Sequence, residues 1–352
     1  MRLVSINNIK PQAYLAKTIY EDSGRIILLK GTQLNDNYSK RLKNLDVSSV
    51  YVIDGQDTSI EIDYDVLVET RLQVFKILRM SLPKIRAGES FESRKIRKTV
   101  NDIVGQVMRI KELMVYLTDI KSLRDHTFDH SVNVCILSLL TGLAMGYSLP
   151  QLTELGIAAL FHDIGKAAVF DDIVNSTKVF IADEYQQIQK HVDYGYEALK
   201  KAKDVGSFAA EVAWQHHERF DGSGYPRKIV GSEINELARI VAVADVYNAL
   251  STDRPYRDGL LPHEAEEAIR KSRGTDFDPD IVDEFIRITA PFPLGSMVLL
   301  NTGFKGIVVS FQQDFPTRPR IQLLYDNVGQ QVDGICIMDL YRDRSVFVKN
   351  IV

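Results

Sequence analysis

HDIGK, residues 162–166, and HHERFDGSGYP, residues 216–226, decide how this chain is read. The first sets a histidine, an aspartate and a lysine within five positions at the end of an apolar run from Pro150 to Phe161. The second closes another helical segment with two adjacent histidines, then turns through two glycines and a proline. Between His126 and Tyr256 lie six of the seven histidines, together with Asp163 and Asp245. His126 and His130 stand at i and i+4, so on a helix they share a face. A histidine taken singly is most often a hydrogen-bonded core or surface residue. Several on successive helical segments, with carboxylates beside them, read together as a metal-ligand set. Imidazole and carboxylate suit borderline divalent metals such as iron, manganese or zinc, and the lack of cysteine ligands argues against a structural zinc site. A bridging carboxylate such as Asp163 would let two metals sit about 3.5–4 Å apart, the separation useful for phosphoryl transfer.

Working outward, the pattern stays helical from Asp125 to about Thr289. The clearest segments are Val132 to Met145, Pro150 to Phe161, Ala182 to Lys201, Ser207 to His216, Glu236 to Ser251 and Pro262 to Ser272. That predicts an all-α bundle or orthogonal packing, not an alternating strand–helix fold. Val100 to Lys121 carries a core-facing stripe of Ile103, Val104, Val107 and Ile110, and Tyr64 to Leu82 reads as a helix closed by Pro83. Lys84 to Lys98 is basic but interrupted by Glu89 and Glu92 and poor in aromatics, which fits a solvated linker and not a nucleic-acid patch. Residues 1–64 read as a small α/β or β-rich unit, with strands at Leu15 to Tyr20, Arg25 to Leu29 and Ser49 to Ile53 and a helix capped by Asn35. After Pro291-Phe292-Pro293 short β-like runs at Met297 to Asn301, Gly306 to Phe311, Arg320 to Tyr325 and Ile335 to Leu340 predict a small β-barrel or sheet. The expected division is 1–64, a helix and linker over 65–98, a catalytic domain over 99–290 and a β domain over 291–352.

At 352 residues and 45% hydrophobic the chain can bury at least one full core. A formal net charge of -4 gives no overall field to hold a nucleic-acid polymer or an anionic membrane. Cys135 and Cys336, the only cysteines, lie far apart in apolar segments and are expected to be buried thiols in a reducing compartment. The best apolar run, Val132 to Tyr147, is broken by Asn133, Ser138 and Thr141, so no membrane span and a cytoplasmic location are expected.

HDIGK, HHERFDGSGYP and Asp245 with Arg254-Pro255-Tyr256-Arg257 occur in an order that resembles the HD-GYP subgroup of HD-domain metal-dependent phosphohydrolases, over about residues 99 to 290. The resemblance implies an all-helical domain with a two- or three-metal centre that hydrolyses cyclic di-GMP to linear pGpG and often on to GMP. It assigns His130, His162, Asp163, His191, His216, His217 and Asp245 as ligands of divalent iron or manganese, with Asp163 as the bridge. Lys166 is expected to bind a phosphate oxygen and stabilise charge growing there. Arg254 and Arg257 are expected to hold substrate phosphate and base. Gly224 and Tyr225 are expected in the site wall, in a loop that also offers a surface to partner proteins. Family members with three metals carry a glutamate where His126 stands, so two metals are expected, with His126 a candidate extra ligand. Two alternatives remain: an HD enzyme acting on another cyclic dinucleotide or nucleotide, and a non-catalytic cyclic di-GMP sensor. The flanking domains carry no recognisable chemistry and are expected to bind partners, pair two chains or gate the cleft.

Overall fold

In the N-terminal segment, residues with strand character alternate too briefly to make long strands, and the result is a short three-stranded sheet with a separate hairpin. The computed structural model describes residues 2–6, 9–10, 13–16, 18–20, 26–45, 47, 49–53, 74, 78, 80, 83, 93–109, 126–169, 182–202, 205, 207–252, 259–292, 294–312 and 315–352. Contacts divide the chain into two units, 1–63 with 114–125 and 289–352, and 64–113 with 126–288.

In the first unit, β1 (Arg2–Ser5) and β2 (Tyr14–Leu15) flank β5 (Ser49–Ile53), and β3 (Ile19–Tyr20) pairs with β4 (Ile26–Leu28), all antiparallel. Helix α1 (Asp36–Lys43) starts where Asn35 predicts, because the Asn35 side chain accepts the Tyr38 N–H at 3.0 Å. Val4, Leu15, Leu28, Leu42 and Val52 form the core of this segment.

The second unit is helical: α2 (Ser93–Arg109), α3 (His126–Ala144), α4 (Leu149–Phe161), α5 (Ala182–Gln189), α6 (His191–Lys201), α7 (Ser207–Gln215), α8 (Glu236–Ser251), α9 (Pro262–Lys271) and α10 (Pro279–Ile288). Every residue from Ser131 to Gly142 is buried, which makes α3 the central helix, with α4, α8, α10 and α2 packed around it. Gly142 and Gly156 let α4 come close: a Cβ at either would stand 2.7 Å from a neighbouring side-chain carbon, Leu155 Cδ2 or Val100 Cγ1. Full burial of Phe161 and Phe285 contributes about 1.5–3 kcal/mol each. The segment predicted as one helix from Ala182 to Lys201 is two, parted at Lys190, so that His191 opens a new helix. Most of the expected helix Tyr64 to Leu82, and the end of the one expected to reach Lys121, lie outside the described residues.

Back in the first unit, β6 (Met297–Leu300), β7 (Lys305–Gln312), β8 (Phe315–Tyr325), β9 (Gln331–Asp339) and β10 (Val348–Ile351) form one antiparallel sheet in the order β10-β6-β7-β8-β9. Alternation sets its faces: Val298 and Leu300 are buried between half-buried Met297 and Leu299, and they pack on Val308, Ile321, Leu323 and Leu340. Cys336 corrects an expectation: it is exposed, because β9 is an edge strand whose Ile335 and Ile337 are exposed too. Cys135 is buried, and burial pushes its thiol up. His263 is half-buried in the first turn of α9. No described helix is long and apolar enough to cross a membrane.

Candidate metal centre

One residue without a side chain brings two elements together. After α4 ends, His162 and Asp163 lead into a 3-10 turn, Ile164–Ala168, that packs on α6. A Cβ at Gly165 would lie 1.9 Å from the His191 carbonyl oxygen and 2.4 Å from the Gly195 nitrogen, so only glycine permits this approach. Asp163 thereby meets His191, the first residue of α6. His216 and His217 follow α7, His130 lies near the start of α3, and Asp245 comes from α8, which packs on α3.

The Asp163 carboxylate divides its oxygens between two groups. Oδ1 is 3.3 Å from His191 Nε2 and 3.6 Å from His216 Nε2. Oδ2 is 3.4 Å from His162 Nε2 and 3.7 Å from His130 Nε2, and it contacts Lys166 Nζ. His130 Nε2 is also 3.0 Å from Asp245 Oδ1. Candidate ligand atoms therefore fall into two sets, Asp163, His191, His216 and His217 on one side and His130, His162 and Asp245 on the other, each within 4.8 Å.

The imidazoles are held with Nε2 inward. His162 Nδ1 donates to the Ala159 carbonyl at 2.7 Å, His191 Nδ1 to Ile188 at 2.6 Å, and His216 Nδ1 to Ala213 at 3.0 Å. A carbonyl only accepts, so each Nδ1 carries a proton, and the tautomer so fixed is the one that can turn an Nε2 lone pair to the centre. His130 Nδ1 pairs with Asn248 Oδ1 at 2.8 Å to the same effect. His162 Nε2 and Asp163 Oδ1 are buried without any hydrogen bond. His162 Nε2 lies beside Asp163 Oδ2, and Asp163 Oδ1 beside His191 and His216, so each candidate set holds a buried acceptor without a donor, which fits a cation in each.

The charges agree. Burial pushes the Asp163 carboxyl up, yet Lys166 and His162 outweigh it and hold the group well below the usual carboxylate range. Asp245, likewise buried, is held well below that range by His130. Burial opposes charge on His162, but the Asp163 carboxylate raises it above its ordinary value. Burial lowers His216 to about 4 and, with His216 beside it, holds His217 well down, so both keep their lone pairs at neutral pH.

Seven sequence-predicted residues therefore converge: His130, His162, Asp163, His191, His216, His217 and Asp245. Lys166 stands at the same carboxylate. Gly224 packs its backbone on residues 217–219, where a Cβ would come within 2.3 Å of Arg219 N, and the Tyr225 ring stacks on His217 at 4.8 Å. His126 opens α3, but its side chain lies outside the described residues, as do Arg254 and Arg257 altogether. Sequence reading missed Asn248, the partner of His130, and Glu218, whose buried carboxylate accepts the Arg227 N–H at 2.7 Å. The signal for Asn248 was an amide inside an apolar helix, three positions after Asp245 and so on its face.

A helical unit that sets a His-Asp doublet between two further groups of ligands defines a protein of the HD class. Residues 117–281 match the family model described as the HD domain, and that segment is an HD domain. Residues 297–352, the C-terminal sheet, match the model of a KOW domain associated with the HD domain. Among curated relatives, the chain is 32% identical over 242 residues to the cyclic di-GMP phosphodiesterase PA4108 of Pseudomonas aeruginosa, covering 68% of this chain and 58% of that protein. It is 32% identical over 223 residues to the cyclic di-GMP phosphodiesterase of Thermotoga maritima, covering 62% and 59%. It is 39% identical over 144 residues to the 3'3'-cGAMP-specific phosphodiesterase 2 of Vibrio cholerae, covering 39% and 28%. The chain thus spans less than two thirds of the length of these relatives. Among solved structures, a HDG"Y"P protein from Bdellovibrio bacteriovorus matches with a TM-score of 0.54 over 81% of this chain and 98% of that one, at 15% identity, which is a likeness of fold.

Proposed function

We propose that the cluster holds two divalent metals, iron or manganese, and that the chain is an HD-GYP-type phosphodiesterase hydrolysing cyclic di-GMP to pGpG and then GMP. The observation that carries this reading is Asp163, whose two oxygens face two different ligand sets. His191, His216 and His217 would hold one metal, His130, His162 and Asp245 the other, and Asp163 would bridge them. His126 is a candidate ligand for a third. When bound, the metals would acidify a water and withdraw charge from phosphate oxygens.

The chain's own residues supply the rest. Lys166 contacts the bridging carboxylate and is 29% exposed, so its ammonium can reach a phosphate oxygen at the mouth of the cluster and stabilise charge that grows there. Arg254 and Arg257 are proposed to grip phosphate and base, and Gly224 and Tyr225 to form part of the wall. Each cut adds one water across a P–O3′ bond, leaving a 5′-phosphate and a free 3′-hydroxyl. The first cut opens the ring and the second separates the nucleotides. The curated relatives named as cyclic di-GMP phosphodiesterases support this substrate, and the relative named for 3'3'-cGAMP supports a second reading in which that dinucleotide is preferred. The catalytic domain is proposed to run over 99–290 in a cytoplasmic protein whose flanking domains, 1–64 and 291–352, and GYP loop meet protein partners or a second copy.

The test is anaerobic turnover of cyclic di-GMP and 3'3'-cGAMP side by side, by protein reconstituted with iron(II) or manganese(II), with Asp163→Ala beside it. Metal-dependent pGpG and GMP, lost in the variant, is the expected result. Faster cleavage of 3'3'-cGAMP would establish the second reading, and a metal-replete protein that binds both and cleaves neither would make it a sensor.

A further inference from the structure

His217 is the exception among the clustered histidines. His130, His162, His191 and His216 each have Nδ1 fixed by an acceptor, whereas among the described residues the His217 ring makes no hydrogen bond. Its ring is held by other rings. Tyr225 stacks on it at 4.8 Å and 24°, while His191 meets it at 85° and His216 at 42°. We infer that Tyr225 is a positioning residue, doing for His217 by stacking what backbone carbonyls do for its neighbours, and that Glu218, Arg227 and Trp214 form the clamp that holds Tyr225 there. This rests on the reading of the cluster as a metal centre.

The clamp is continuous. Tyr225 N donates to the His217 carbonyl at 3.2 Å, and Gly224, lacking a Cβ, lies flat against the backbone of 217–219. Just beyond Pro226, the Arg227 N–H is taken by Glu218 Oε1 at 2.7 Å, closing the loop from its first residues to its last. Glu218 is only 2% exposed, so breaking that bond would strand a buried carboxylate. The Arg227 guanidinium lies 4.9 Å over the Trp214 ring, which stacks on Tyr196 at 4.6 Å and donates Nε1–H to Asp193 at 2.9 Å. Trp214 and Asp193 belong to α7 and α6, the helices that end or begin at His216 and His191. The loop is therefore fastened to the same two helices that present the ligands, and Tyr225 cannot drift from His217 unless the clamp opens.

Manganese(II) titration of the full chain tests this, read by metal stoichiometry and by emission of Trp214, the single tryptophan. Tyr225→Leu is expected to weaken one manganese equivalent at least ~10-fold, as loss of a ligand-orienting group does, and to leave the other unchanged. Tyr225→Phe, which keeps the ring, is expected to bind both as wild type does. Equal weakening by Phe and Leu would assign the effect to the hydroxyl and overturn the inference. Wild-type affinity for both equivalents in Tyr225→Leu would overturn it while leaving the metal centre standing. Wild-type protein that takes up no manganese would overturn both.

Discussion

Asp163 and Glu266 are equally withdrawn from water, 4% exposed each, and the fold treats them in opposite ways. Burial raises the pKa of any carboxylate. Around Asp163 that push is overcome by Lys166, by His162 at 3.4 Å from one oxygen and by His191 at 3.3 Å from the other, and the group stays anionic. Around Glu266, on α9, one oxygen has Arg270 at 2.9 Å, the other is buried without a hydrogen bond, and the carboxyl is pushed up. A buried carboxylate kept ionised by an ammonium and by imidazoles beside both oxygens retains the charge that a cation site needs, and one with a single partner at its edge is a packing compromise.

Matched amide substitutions break or sharpen this contrast. Asp163→Asn preserves volume but removes the charge and turns one acceptor into an NH₂ that faces imidazole lone pairs. We expect both metal equivalents to weaken by about 100-fold or more, beyond the range for ligand-orienting neighbours, as measured by elemental analysis after dialysis. Full retention of both would mean that Asp163 does not bridge. The next effect in size is at Lys166. If its ammonium serves the phosphate, Lys166→Gln keeps its metals and loses about 10²-fold in turnover. If metal is lost instead, the lysine acts by holding Asp163 in place, and the contrast with Glu266 would then rest partly on a counterion and not on the ligands alone.

Much of this was legible in the sequence. Asn35 and the segment Glu236–Ser251 were read to within a residue, because a cap and an apolar helical period are local signals. The members of the cluster were legible as residue types in order, since HDIGK and HHERFDGSGYP keep several of them adjacent. What joined them was not. That Gly165 must touch His191 and that Asn248 turns His130 are contacts across many residues, set by how α3, α6 and α8 pack, and that Tyr225 lies on His217 depends on how the loop between them folds back on itself. The break at Lys190 escaped for a related reason: the apolar period runs through it, and the turn is fixed by the packing of α6 on the 3-10 turn.

The smallest expected effect is at Glu266, and its sign is the sharpest check on the comparison. Because the folded chain raises this pKa, the unfolded chain gives up the proton first as pH rises from about 4.3. Through the window between the unfolded and folded values the folded state binds more proton, so stability falls with pH, and the loss stays constant above it. Glu266→Gln keeps an acceptor for Arg270, itself a half-exposed partner worth little, and cannot titrate. The melting temperature of the variant minus that of the wild type should therefore grow as pH rises from about 4 towards neutrality. A difference that shrinks over the same range would mean that Arg270 holds the Glu266 charge as firmly as the histidines and Lys166 hold that of Asp163.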